Sequence, residues 1–299
     1  PAFAFLGVSR GFEAEGFLSC SDAAEDEAVL CRLAYGTLPV SDAASVPLEV
    51  MLGYVRHALL LRRESPFCKG MPEDCFLHFV FYPRVNSENL EDCRRFFYDR
   101  IMPRVAGMSM AEAILEINRW CAEQVTYQAS NARTESPITA YYSGIGRCGE
   151  ESTFTVTALR SVGIPARQIY VPFWAHCDDN HAWVEVWVDG EWHFLGACEP
   201  EAVLDLGWFN APASRGMLMH TKVFGRYDGP EDKIEQTNIF CEINVTDNYA
   251  KTARSYVTVV DETGKPVSGA VTVAVYDKSG QVAPVQTFTF STGRKGGDG

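Results

Sequence analysis

The segment from residue 148 to residue 195 constrains the fold of this 299-residue chain more than any other part. Its first fifteen residues read as a helix, because Gly163 and then Pro165 follow them as a glycine stop predicts. Apolar alternation and an Asp189-Gly190 turn signal then predict a β-hairpin. The predicted elements are a helix over 148–162 and strands over 166–171, 181–188 and 191–195.

Two residues in this segment point to nucleophilic chemistry. Cys148 opens the predicted helix, where unpaired backbone N–H groups and the helix dipole favour thiolate over thiol. His181 opens the alternating strand, and an imidazole beside the thiol would accept its proton. Gly146 and Gly149 flank the cysteine and allow close backbone approach. We therefore expect Cys148 to be the nucleophile and His181 the base.

A base also needs a partner that orients its other ring nitrogen. A two-residue turn at Asp189-Gly190 would place Cys198 opposite His181 and Gly196 diagonal to it. The acidic residue in that stretch is Glu199, which reaches the face of His181 if Gly196 or Pro200 introduces a bulge. Glu199 is thus the candidate third catalytic residue, with a strand-end carboxylate as the alternative.

The sequence gives weaker support for the other candidate site residues. Tyr142 lies just before the glycines, and we expect it to line the cleft. Trp174 reads as a wall of the core or the cleft rather than as a cofactor platform. His176 and His193 lack ligand-like spacing with a cluster of Cys or Asp, so no metal site and no cofactor are expected.

Composition limits the classes of partner. The net charge of −13 disfavours nucleic acid, which needs clustered Lys and Arg. No stretch reaches the roughly 18–20 apolar residues of a membrane span. The chain begins without Met, and its first residues lack the basic flank of a signal peptide, so we expect a processed chain. Ten cysteines leave two alternatives open, namely disulfides such as Cys68–Cys75 or Cys20–Cys31, and buried free thiols.

The flanking regions differ in pattern from the central segment. Residues 1–105 read as mostly helical, with a short apolar run over 76–82 that suggests a strand, and they carry no chemical motif. Near residue 109 a capping-box spacing predicts another helix. Beyond about residue 250, short predicted strands over 256–260, 271–276 and 286–290, separated by Gly and Pro turns, are typical of part of a small β-sandwich.

Three sequence motifs resemble the transglutaminase-like branch of the papain-like cysteine enzymes. They are Gly-Arg-Cys-Gly-Glu-Glu-Ser at 146–152, Leu-Arg-Ser-Val-Gly-Ile-Pro-Ala-Arg at 159–167, and His-Ala-Trp-Val-Glu-Val-Trp-Val-Asp-Gly-Glu-Trp at 181–192. The resemblance implies an α+β fold, in which a central helix carrying Cys148 packs on an antiparallel sheet carrying His181. It implies a helical region over 1–105, a catalytic core over 106–249 and a partial β-sandwich module over 250–299. The strands of that module resemble the carboxypeptidase-regulatory-like modules of exported bacterial proteins, so we expect an exported protein.

The family resemblance also implies an activity. It implies a cysteine-dependent hydrolase that cleaves peptide or glycopeptide amides through a thioester. The alternatives are protein-glutamine acyl transfer, which cross-links proteins, and a non-catalytic peptide- or glycan-binding module. The chain departs from the family at Gly196, which stands where the third catalytic residue is normally aspartate.

Overall fold

The computed structural model describes residues 23–130, 133–253, 257–276 and 282–290. Within them, the predicted α+β fold class is confirmed: a central helix packs on an antiparallel sheet. Further helices precede this unit in the chain, and three more strands extend the sheet after it.

Helices occupy most of the described residues from 23 to 105. Prolines stand at the N-caps of three of them, at positions 39, 47 and 72, where a fixed backbone angle without an N–H group suits entry into a helix. The helices are α1 (Ala23–Thr37), α2 (Val40–Ser45), α3 (Leu48–Glu64), α4 (Glu73–Phe76, continued by a π-helical turn over Leu77–Phe81) and α5 (Arg94–Val105).

One prediction in this region is wrong. The apolar run over 76–82, expected to be a strand, is helical up to Phe81. Four of the five residues in the π-helical turn are buried, so the run is apolar in whichever conformation it adopts. A short apolar run of this kind carries no periodicity that separates helix from strand. The helix expected before Pro103 does form, but it continues to Val105 with the proline in its last turn.

Three helices form the framework around the central segment. They are α6 (Met110–Gln124), α7 (Pro137–Ser143) and α8 (Cys148–Val162). The capping box predicted at Ser109 is present, with the Ser109 N–H donating to Glu112 Oε2 at 2.9 Å. The glycine stop of α8 is also confirmed, because Gly163 has a φ of +96° and a Cβ there would lie 2.7 Å from the Cys68 sulfur.

Six strands form one antiparallel sheet in the order β5-β4-β3-β6-β8-β7. Asp189 and Gly190 join β4 to β5 with φ values of +53° and +96°, the pair of positive angles that a type I′ turn requires. The short strands β1 (Thr126–Tyr127) and β2 (Ile145–Gly146) pair separately in parallel. The sheet strands are β3 (Ala166–Val171), β4 (His181–Val188), β5 (Glu191–Leu195), β6 (His220–Phe224), β7 (Lys233–Gln236) and β8 (Phe240–Asn244).

The two faces of the sheet bury different layers of the protein. Val184 and Val186 of β4 share a buried cluster with Phe154 of α8. On the opposite face, Trp183 shares a second buried cluster with the π-helical turn and the first helices, for example through Leu30. This alternation follows from the two-residue period of a strand. It places His181 on the face of Trp183, away from the apolar contacts of α8.

The C-terminal residues form a separate antiparallel pair, β9 (Gly269–Tyr276) with β10 (Val282–Phe290). The predicted strands over 271–276 and 286–290 lie within this pair. The strand expected at 256–260 begins outside the described residues, and of its remainder Val260 makes one isolated bridge to Pro266. A β-sandwich module over 250–299 stays a prediction.

The described cysteines are free thiols. All nine of them are unpaired, Cys68 and Cys75 included, while Cys20 lies outside the described residues. Six of the nine are buried, which agrees with the free-thiol alternative for the described part of the chain. No helix among the described residues is long and apolar enough to span a bilayer.

Candidate active site

Cys148 is the first residue of α8, and the backbone around it is held tightly. The preceding Arg147 is the N-cap, and its N–H donates to Glu150 Oε2 at 2.9 Å. Gly146 ends β2, and a Cβ on it would lie 2.7 Å from the Glu150 Cβ. A glycine is therefore required for β2 to pass this close to the first turn of α8.

The sulfur of Cys148 lies next to the start of β4. The backbone N–H groups of Ala182, the residue after His181, and of Gly149 act on the thiol and lower its pKa. Burial nevertheless raises the Cys148 pKa, and the charge of Glu151 adds to it; these outweigh the backbone bonds and nearby Arg147. The thiolate expected from the helix terminus alone is thus disfavoured in the resting protein.

His181 lies among four aromatic rings. Its ring centroid is 4.9 Å from that of Trp208, 5.6 Å from Phe209, 6.0 Å from Trp183 and 6.2 Å from Trp174. Burial in this apolar surrounding lowers the His181 pKa to about 4, against a small opposing effect of Asp179. The imidazole is therefore neutral at physiological pH and able to accept a proton.

No carboxylate of the described residues forms a hydrogen bond with the Nε2 atom of His181. His181 Nε2 is buried and makes no hydrogen bond with any described residue. Gly196 follows directly after β5, at the family position of the aspartate, and brings no side chain to this nitrogen. A buried polar atom without a partner is costly, so this nitrogen marks where the site departs from its family pattern.

Glu199 occupies the space that a side chain at Gly196 would need. A Cβ on Gly196 would lie 2.2 Å from Glu199 Oε2. The carboxylate itself accepts the indole N–H of Trp208, at 3.0 Å for Oε1 and 3.1 Å for Oε2. Burial raises the Glu199 pKa, and the bond from Trp208 acts against that rise. The structure thus brings Glu199 to the site, with Trp208 as its hydrogen-bond partner.

Asn118 of α6 holds the turn that carries Glu199. Its side-chain N–H groups donate to the backbone oxygens of Gly196 at 2.9 Å and Glu199 at 3.2 Å. Its Oδ1 accepts the N–H of Cys198 at 3.0 Å, and Cys198 has a φ of +56°. Asn118 is 1% exposed, and all its polar atoms serve this turn, which fixes the strained backbone.

A second carboxyl lies beside the thiol. Glu151, in the first turn of α8, is 6% exposed and has its pKa raised to about 8, first by burial and then by the charges of Glu199 and Glu150. Tyr127 of β1 and Tyr170 of β3 also lie near the thiol. Burial raises the pKa values of both tyrosines, and the charge of Cys148 adds to the rise. The surroundings of the thiol are therefore acidic and phenolic on one side and aromatic on the other.

The two predicted cleft residues lie in different places. Trp174 is buried against His181 and Trp183, with its ring stacked 6.2 Å from each. Tyr142 is 73% exposed and contacts the rings of Phe96 and Tyr141 rather than the histidine. Sequence reasoning missed Trp208, Phe209 and Asn118, since each reaches the site from another element and has no motif of its own.

Two further features of the described part of the chain lie outside this site. No group of three or more His, Cys, Asp or Glu there could hold a metal ion, and His193 is bonded to Asp205 at 2.7 Å instead. A cavity of about 1070 Å³ lies between α4, the β4–β5 hairpin and the loop over 225–231, and none of Cys148, His181 and Glu199 lines it. The candidate site at the start of α8 therefore lies apart from this cavity.

Residues 101–197 match the family model of the transglutaminase-like superfamily. This match covers all three motifs and both Cys148 and His181, and the predicted family resemblance is confirmed. Residues 101–197 are therefore similar to the transglutaminase-like superfamily.

Solved structures with similarity to the chain include a candidate cysteine protease from Cytophaga hutchinsonii, at 15% identity over 61% of this chain and 68% of that chain, with a TM-score of 0.37. Calcium-bound LapG from Legionella pneumophila is similar at 16% identity over 38% of this chain and 68% of that chain, with a TM-score of 0.31. Another LapG structure from the same organism is similar at 12% identity over 56% and 82% of the chains, with a TM-score of 0.34. Comparison with the curated proteins found no similar sequence.

Proposed function

We propose that this protein is a cysteine-dependent amide hydrolase that cleaves peptide or glycopeptide bonds through a thioester. Cys148 is the nucleophile, His181 is the base, and Glu199 is the acidic residue that supports the histidine. One observation carries the proposal: Cys148 is the first residue of α8, and its thiol is acted on by the backbone N–H of Ala182, the residue that follows His181 in β4.

The protonation states indicate how the pair would work. The Cys148 pKa is raised and the His181 pKa is about 4, so both groups are neutral in the resting protein. His181 would then act as a general base during the attack, rather than as the cation of a preformed ion pair. The neutral form of the pair persists from about pH 4 to beyond pH 9.

The reaction follows in two steps. The Cys148 sulfur attacks the amide carbonyl while His181 takes the thiol proton, and the imidazolium then protonates the leaving amine. Water next attacks the thioester carbonyl, giving its proton to His181, which returns it to the departing sulfur. The N–H groups at the start of α8 can stabilise the negative charge on the carbonyl oxygen. In this proposal Tyr142 is an exposed residue that contacts the substrate. Trp174 packs behind His181.

A non-catalytic binding module is the rival function. The unpartnered His181 Nε2 and the raised Cys148 pKa both favour it, since a catalytic cysteine usually has a lowered pKa and an oriented base. The position of the thiol next to the backbone N–H of Ala182 favours the hydrolase over the binding module. A cysteine with only a structural role has no need to lie at the start of the strand that carries His181.

The test is a screen of peptides and glycopeptides with the wild-type protein and Cys148→Ala. Release of an amine that depends on Cys148 supports hydrolysis, whereas an added lysine peptide joined to the substrate identifies acyl transfer. Cys177→Ala is the matched control, since Cys177 is a half-buried free thiol outside the site. Binding of a peptide or glycan that is equal in wild type and Cys148→Ala, with no product from either, would establish the binding module instead.

The exported location also belongs to the proposal. Its support is the resemblance of the C-terminal strands to modules of exported bacterial proteins. Fractionation of cells that produce the natural protein, with detection of the protein outside the cytoplasm, is the corresponding measurement.

A further inference from the structure

We propose that Trp208 is the positioning residue for His181, and that Glu199 acts on the histidine through the indole of Trp208 rather than by bonding to it. The inference rests on the proposed function and says how the site orients its base without the family aspartate. It assigns a role to a residue outside the motifs and outside the matched segment over 101–197.

The first support is the contact between the two rings. Of the four aromatic walls of His181, Trp208 has the nearest centroid, at 4.9 Å with an interplanar angle of 54°. Trp174, Trp183 and Phe209 are buried by the rest of the protein, whereas Trp208 is 57% exposed. Trp208 therefore depends on a local bond, and not on burial, to stay against the imidazole.

Glu199 supplies that bond. Both of its oxygens accept the same indole N–H, and a bond to a carboxylate is stronger than one between neutral groups. The carboxylate is fixed in turn, because it fills the space beside Gly196 and its backbone is held by Asn118. A rigid chain of contacts thus runs from α6 through Glu199 and Trp208 to His181.

The unpartnered Nε2 atom of His181 explains why the imidazole needs Trp208 to hold its orientation. A base must be held in one orientation to receive a proton from the thiol, and a carboxylate on the second nitrogen usually does this. Here His181 Nε2 has no partner among the described residues, so packing against rings is what restrains the imidazole. The acidic group that acts on the imidazole is Asp179 in the loop before β4, whereas Glu199 is bonded to Trp208.

Four variants separate this role from direct action by Glu199. Trp208→Phe keeps a ring but loses the N–H, and we expect kcat to fall at least about tenfold with little change in KM, because a misplaced base slows chemistry and not binding. Glu199→Ala should fall to the same level. Glu199→Gln still accepts the indole N–H through its amide oxygen and should stay within about threefold of wild type. The double variant of Trp208→Phe and Glu199→Ala should be no worse than either alone.

A second readout does not depend on turnover. In Trp208→Ala one wall of the imidazole opens to water, and an NMR titration should show the His181 pKa rising from about 4 towards 6.5. Tyr98→Phe is the control, because Tyr98 is a half-buried aromatic residue of α5 that packs against His57 and not against His181. If Cys148→Ala shows that the protein is not a hydrolase, this titration still decides whether Trp208 holds the histidine.

Two results would overturn the inference. The first is that the Trp208→Phe and Trp208→Ala proteins match the Tyr98→Phe control both in kcat and in the His181 titration. The other is a Glu199→Gln protein as inactive as Glu199→Ala, since the charge of Glu199 would then act on His181 without Trp208. Because Trp208 is more than half exposed, its replacement should leave the fold intact, which circular dichroism checks.

Discussion

Glu151→Gln should stabilise the protein at alkaline pH, although it removes a charged residue from the candidate site. Glu151 is buried in the first turn of α8, and its pKa is raised from 4.5 to about 8. Above pH 4.5 the unfolded chain releases this proton, while the folded protein keeps it until about pH 8. The free energy of unfolding therefore falls as pH rises from 4.5 to 8, since the unfolded state binds fewer protons there.

The size of the effect follows from the two pKa values. A difference between 4.5 and about 8, at about 1.4 kcal/mol per pH unit, corresponds to about 5 kcal/mol above pH 8. Water that reaches the carboxylate and local relaxation reduce this figure, so we expect a gain of about 2–4 kcal/mol for Glu151→Gln at pH 8.5. Near pH 4.5 both proteins carry a neutral side chain, and the gain should vanish.

Urea unfolding followed by tryptophan fluorescence, at several pH values from 4.5 to 8.5, measures this difference. The control is Glu116→Gln, because bonds from Arg119 and Arg104 lower the Glu116 pKa and reverse the expected sign. That variant should lose a little stability above pH 4.5. A Glu151→Gln protein whose stability parallels the wild type across the pH range would refute the reasoning. The charge of Glu151 also raises the Cys148 pKa, so alkylation of Cys148 in this variant should begin at lower pH.

Three further predictions concern the neighbouring turn and the histidine. Asn118→Leu removes three hydrogen bonds from the buried turn over 196–199 and should lower the free energy of unfolding by about 2–4 kcal/mol, measured in urea, with a lower kcat. Gly196→Asp alone should destabilise the protein, because its Cβ would lie 2.2 Å from Oε2 and 2.9 Å from Cβ of Glu199. Gly196→Asp combined with Glu199→Gly removes both contacts, so that a carboxylate can reach the histidine, and NMR should show the His181 pKa above 4. The pH profile of kcat/KM should have its acidic limb near pH 4, where His181 becomes protonated, and a plateau through neutral pH; an acidic limb near 6.5 would contradict the burial of the ring.

The described part of the chain shows why local signals sufficed for the core elements. The stop at Gly163 and the turn at Asp189-Gly190 depend on backbone angles that few residues adopt, so the residue type alone indicates the conformation. The alternation of β4 likewise fixes which side chains share a face with His181. By contrast, the helical run up to Phe81 is apolar all round, and no local pattern separates it from a strand.

The sequence by itself determined the helix that begins at Cys148, the hairpin that begins at His181, and the absence of an aspartate at position 196. The tertiary structure alone decided what surrounds them. Burial raises the Cys148 pKa against the local effect of the helix terminus, and residues from α6 and from the loop after β5 bring Asn118 and Trp208 to the turn of Glu199. The physical reason is that solvation and hydrogen-bond partners depend on which segments meet in space, whereas helix stops and turns depend on the residues at one point in the chain.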